Sequence, residues 1–92
     1  MNEARRTLTV VNQRGLHARA SAKFVTAVAE LPEGTSVRVA KGANEAAGGS
    51  ILGLMMLGAA KGDSIEVIVA GKDREAVLDQ LAAMVEDGFG ET

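Results

Sequence analysis

Apolar and polar residues alternate along three stretches of the chain. Leu8 and Val10 share one face of residues 7–11, and Val37 with Val39 does the same over residues 35–41. Over residues 64–70, Ile65, Val67 and Val69 oppose Ser64, Glu66 and Ile68. A period of two predicts strands with one covered face. That alternation suits an antiparallel sheet, since strands of a parallel sheet between helix layers are apolar on both sides. Residues 43–47, after a turn at Gly42, read as a short, weak strand. Their surroundings up to Gly49 are glycine-rich and polar, which leaves the register open.

Three other segments follow the helical period. Residues 18–30 carry Ala18, Ala22, Val25 and Ala29 along one stripe, with Phe24, Val28 and Leu31 beside it, and Pro32 with Gly34 ends the run. Residues 50–57 form an apolar block between Gly49 and Gly58, with Ser50 where an N-cap hydroxyl belongs. Residues 73–87 place Val77, Leu81, Met84 and Val85 on one flank, with Asp73 as candidate N-cap, Glu75 in the first turn and Gly88 at the end. The order is strand, helix, strand, weak strand, helix, strand, helix. It predicts an α+β open-faced sandwich (βαββαβα), a four-stranded antiparallel sheet with three helices on one face. No repeat, linker or low-complexity tract interrupts it.

Composition narrows the class. Ninety-two residues with 47% apolar content can close one small core, so a single domain over residues 1–92 is expected. Cysteine is absent, which removes disulfides, thiolate nucleophiles and sulfur-ligated zinc and points to the cytosol. No apolar run reaches spanning length, and residues 1–6 are too polar and short for a signal peptide; no membrane insertion is expected. A net charge of −2 and two aromatics, Phe24 and Phe89, argue against nucleic acid. Protein partners are expected instead.

The single histidine, His17, lies in the run Gly15, Leu16, His17, Ala18, Arg19, between the first strand and the first helix. By type alone, a lone loop histidine is more often a solvated or cap residue than a nucleophile. Its surroundings suit phosphoryl transfer, however. Near neutral pH an imidazole has a lone pair that attacks phosphorus without a separate base. At a helix entrance the backbone N–H groups of Ala18, Ala20 and Ser21 would cradle the phosphate, and Arg19 would add a charged donor fork. A histidine, a helix tip and an arginine make half of a transfer site, which a partner protein completes. One histidine without cysteine or clustered carboxylates cannot bind a metal in the usual way, and no cofactor is implied.

The second feature is the apolar block itself. So short a helix cannot hide every side chain, so some of Ile51, Leu52, Met55 and Met56 should form an exposed, adaptable surface. The competing reading is a wholly buried core helix. Ser50 is a cap in one reading and a kinase target in the other, where phosphate would place roughly two negative charges beside that surface.

The Gly-Leu-His-Ala-Arg signature, the block from Ser50 and Ile51 to Lys61 and Gly62, the element order and the length together resemble HPr, the histidine phosphocarrier family of the bacterial phosphotransferase system, over nearly the whole chain. The resemblance implies a stoichiometric, monomeric carrier rather than an enzyme. It implies that His17 accepts a phosphoryl group from Enzyme I at the expense of phosphoenolpyruvate, assisted by Arg19, and passes it to EIIA-type proteins. By motif position Ser50 matches the target of HPr kinase/phosphorylase. Ile51, Leu52 and Met55 match the docking surface, with Leu16, Ala20 and Phe24 contributing beside the histidine. Many members have proline where this chain has Ala20, and the His-Ala-Arg-Ala-Ser form resembles alphaproteobacterial relatives. After Lys23 the first helix carries Thr26, Ala29 and Glu30 rather than the basic residues of sugar-type members, which points to a regulatory, nitrogen-related system. Two other readings compete: a Ser50-regulated interaction module in which histidine transfer is secondary, and a small scaffold or ligand-binding domain in which His17 is incidental.

Overall fold

The computed structural model describes residues 2–91, so Met1 of the polar stretch 1–6 lies outside them. Along the chain come β1 (Glu3–Thr9), α1 (Ala18–Ala29), β2 (Ser36–Lys41), β3 (Asn44–Ala47), α2 (Ile51–Met56), β4 (Ser64–Ala70) and α3 (Arg74–Glu86), followed by a 3-10 turn over Gly88–Gly90. The strands form one antiparallel sheet in the order β1-β4-β2-β3. Its covered face offers Leu8, Val37, Val39, Ile65, Val67 and Val69 to a core closed by Phe24 of α1, Leu54 of α2 and Val77, Leu78, Leu81 and Val85 of α3. The α+β open sandwich expected from the pattern is therefore the architecture found.

Register follows from burial. Ile65 lies opposite Leu8, and Val67 opposite Val39, so a slip of one residue would turn the whole apolar set of β4 outward. The weak strand is pinned in the same way: β3 pairs with β2 from Arg38 opposite Ala47 to Lys41 opposite Asn44. The hairpin turns through Gly42, whose φ of 59° lies in the left-handed region.

Two expectations need correction. The first strand is Glu3–Thr9 rather than 7–11. Arg6 occupies a covered-face position between Ala4 and Leu8, which hides the alternation. Its stem runs inward while its head reaches Asp79 of α3 at 2.7 Å. Val10 leaves the ladder and bonds instead to the loop before β4, donating to the Asp63 carbonyl at 2.9 Å and accepting from the Gly62 amide at 2.8 Å. In α1 the buried face is Ala20, Ser21, Phe24 and Ala27, whereas Ala18 and Ala29 of the expected stripe are exposed. An alanine-rich helix has little contrast between faces, so the one large ring decides which side goes inward.

The outer sheet face carries charged side chains and a few alanines around one large apolar residue, Ile68, which is 1% exposed. Arg5 and Arg38 flank it on the neighbouring strands. Glu3 bridges the two guanidiniums at 3.0 and 2.6 Å, and Glu66 and Glu45 take their other nitrogens. The arginine stems cover the isoleucine while the charges stay in water.

The loop from β1 to α1 is held tightly against the segment that follows α2. Leu16 donates its N–H to the Ala59 carbonyl at 3.0 Å, and Gly15 takes φ 64°. A Cβ on Gly15 would lie 2.3 Å from the Ala59 oxygen. Gly15→Ala should therefore cost roughly 2–4 kcal/mol from backbone strain and overpacking. Gly42→Ala, with no atom in the way, should cost about 1 kcal/mol. Urea unfolding of the two variants checks the contrast.

Candidate functional site

His17 is the N-cap of α1, with extended backbone at φ −78° and ψ −178°. Its Nδ1 accepts the Arg19 N–H at 3.2 Å, so the ring caps the helix as a serine or aspartate side chain would. Because His17 is the cap, the amides of Ala18, Arg19 and Ala20 have no acceptor within the helix. Ser21 is different: its N–H closes the first helical bond to the His17 carbonyl at 2.9 Å, and its buried Oγ donates to the Leu16 carbonyl at 3.3 Å. Of the amides expected to cradle a phosphate, those of Ala18, Ala20 and Ser21, that of Ser21 is therefore already spent, and Ala20 is fully buried. The exposed Arg19 guanidinium forms no ion pair with any described residue.

The other ring nitrogen is also held, so the imidazole is less open than a solvent-facing loop histidine. Nε2 lies 2.6 Å from Glu91 Oε2, and the two side chains are 15% and 17% exposed. Glu91 Oε1 accepts from Asn12 Nδ2 at 3.1 Å, and the same amide donates to the Gly15 carbonyl at 2.8 Å. Asn12 is buried, and its Oδ1 has no partner among the described residues. The segment carrying Glu91 is anchored by Phe89, a buried ring on a left-handed backbone (φ 59°), whose carbonyl accepts from Lys23 Nζ at 2.7 Å. Arg14, Arg19, Lys23, Gly90 and Glu91 line a shallow cleft of about 330 Å³. Neither Asn12 nor Glu91 was marked by the sequence pattern. Asn12 has a local signal, a turn-forming residue three before Gly15. Glu91 has none, because it meets His17 across 74 positions.

Ser50 caps α2, its Oγ accepting the Gly53 N–H at 2.9 Å. Of the residues of α2 only Leu54 is buried; Ile51, Leu52, Met55 and Met56 are exposed, Leu52 at 68% and Met56 at 77%. The helix therefore lays an apolar strip on the surface, and it packs against α1. Leu16, Ala20 and Phe24 are buried. They cannot act as contact residues in this conformation and instead support the surface from beneath. At α3, Asp73 occupies the N-cap position without making a side-chain cap bond. No helix among the described residues is long and apolar enough to cross a membrane.

A small α+β domain that presents one histidine at a helix tip beside an exposed apolar helix has the form of a group carrier. The family model described as the PTS HPr component phosphorylation site matches residues 4–87, and the chain belongs to that family of phosphotransferase-system phosphocarriers. It is 34% identical over 91 residues to the phosphocarrier protein NPr of Shewanella violacea, covering 99% of this chain and 98% of that one. It is 38% identical over 87 residues to the phosphocarrier protein HPr of Neisseria meningitidis, covering 95% and 96%. Among solved structures, HPr from Thermoanaerobacter tengcongensis superposes with a TM-score of 0.88 at 30% identity, covering 97% of this chain and 98% of that one.

Three carboxyls ionise more readily in the fold than they would free in water. The Asn12 amide holds Glu91 below the ordinary value of 4.5 against the opposing effect of desolvation, helped by the hydrogen bond and charge of His17 and by Lys23. Arg5 does the same for Glu3, and the Ala60 amide for Asp63. As pH falls through this range the unfolded chain takes up protons before the folded one, so this stabilisation is complete at neutral pH and is lost on acidification. The urea midpoint should fall below about pH 5, and Glu91→Gln should flatten part of that fall.

Proposed function

We propose that this chain takes a phosphoryl group from Enzyme I onto Nδ1 of His17 and passes it to an EIIA-type protein. The observation that carries the reading is the direction of the ring: Nδ1 faces the amide tip of α1 while Nε2 is held by a carboxylate. With the proton on Nε2, the lone pair is on Nδ1. That pair forms the N–P bond as the bond from phosphorus to the donor breaks, the donor keeping its electrons. The Arg19 N–H, now 3.2 Å from Nδ1, then turns to a phosphoryl oxygen, beside the amide of Ala18. Arg19 adds its guanidinium, and the charge on the moving group is met by donors already in place.

The chain acts in this reading as a monomer, docking through Ile51, Leu52 and Met55. The substitution of Thr26, Ala29 and Glu30 for basic residues on α1 and the likeness to an NPr along its length favour a regulatory, nitrogen-related system. Ser50 is the proposed target of HPr kinase/phosphorylase. A phosphate there would remain at the tip of α2 but would put charge and its water beside the apolar strip.

Incubation with Enzyme I and phosphoenolpyruvate should give an acid-labile, base-stable phosphate on the wild-type chain and none on His17→Ala; equal labelling of both would exclude the carrier role. Arg19→Ala should slow transfer at saturating Enzyme I by roughly 10- to 100-fold, the loss of one charge-assisted donor in the transition state, while changing affinity much less. Stopped-flow quench separates the two. Ser50→Asp should weaken Enzyme I binding in titration calorimetry by about tenfold, the desolvation of one charge at an apolar contact. Unchanged binding would remove Ser50 from the docking face.

A further inference from the structure

The carboxylate of Glu91 holds Nε2 of the ring, and it is itself the most firmly held charged group near the imidazole. Each remaining ion pair among the described residues has at least one side chain that is 34% exposed or more, whereas His17 and Glu91 are 15% and 17% exposed. Its two oxygens are divided between two partners, Oε1 to Asn12 and Oε2 to His17. Asn12 is itself fixed to the carbonyl of Gly15, two residues before His17. On the other side the chain reaches Glu91 through the buried Phe89, whose carbonyl is tied to Lys23 of α1. The carboxylate is thus fixed relative to the imidazole from the histidine loop, from α1 and from the end of α3.

We propose that Glu91 is a positioning residue for transfer: it accepts the Nε2 proton, which leaves the lone pair on Nδ1 aimed at the helix tip, and it serves as counter-ion to the ring when the N–P bond forms. The inference rests on His17 being the phosphoryl acceptor. Neutral imidazole attacking through Nδ1 becomes a cationic ring carrying the phosphoryl group, with its proton still on Nε2. When the group moves on, the N–P electron pair returns to Nδ1 and the ring is neutral again. The same proton stays between Nε2 and Glu91 through both steps, so neither needs a proton from solvent. A carboxylate hydrogen-bonded to the nitrogen opposite the reacting one is a general means of fixing a tautomer and stabilising the cation that follows.

The test uses the full chain with purified Enzyme I and phosphoenolpyruvate, comparing wild type with Glu91→Gln and Glu91→Asp. In Glu91→Gln, single-turnover transfer at saturating phospho-Enzyme I should fall about tenfold, the loss of one hydrogen bond to a charged group, with the half-saturating concentration unchanged. Glu91→Asp should recover part of the rate. Nitrogen-15 spectra of the wild-type ring should show a slowly exchanging Nε2–H that is lost in Glu91→Gln, a change that a purely structural role would not produce. A labelled wild type with Glu91→Gln equally fast or faster, or a wild-type ring without that Nε2–H, overturns this inference alone. A wild type that takes no label overturns the carrier reading and this inference with it.

Discussion

The position of the imidazole depends on the close approach of two loops. The backbone at Gly15 runs so near the carbonyl of Ala59 that no side chain fits between them, and the Leu16 amide bonds to that same carbonyl. Ala59 leads into the segment that bonds to Val10 at the end of β1. The chain before α1 is therefore anchored at both ends to the far side of the sheet connection, and His17 arrives at the helix tip with extended backbone and a fixed direction. Phosphoryl transfer depends on placement more than on covalent assistance, so this packing constraint is also a constraint on chemistry.

His17, Arg19 and Ser50 were legible in the sequence because each sits at a break between periodic segments, where caps and turns leave a local mark. The strands and helices were legible from the periodic runs between those breaks, β1 only in part. What was hidden was set by contacts distant in sequence. Arg6 concealed half of β1 because its partner is Asp79 on α3. The inward face of α1 is hidden in the sequence because alanines give no strong preference and Phe24 is the one large ring on the helix. The rotation that buries this ring took Phe24 and Ala20 out of the expected contact surface. Ser21 lost its place in the cradle by a matter of one position, since the residue four beyond a cap always spends its amide on the first helical bond. Glu91 and Asn12 were beyond the reach of any local pattern.

Among the described residues the site is an open surface rather than an enclosed pocket. It combines a shallow cationic cleft, a helix tip and a neighbouring apolar strip, an arrangement suited to meeting another protein's surface. Its charges are mixed: the tip of α1 and the exposed Arg19 are positive, while Glu91 keeps a negative charge against the imidazole.

The lattice of Glu3, Arg5, Arg38, Glu45 and Glu66 over Ile68 has its own consequence. By keeping the back of the sheet hydrated and ionic, it makes the molecule chemically lopsided: one side repels greasy company and the other invites it. The oily strip of α2 and the lone imidazole at the tip of α1 thus belong to the half of the molecule that the ionic lattice leaves uncovered.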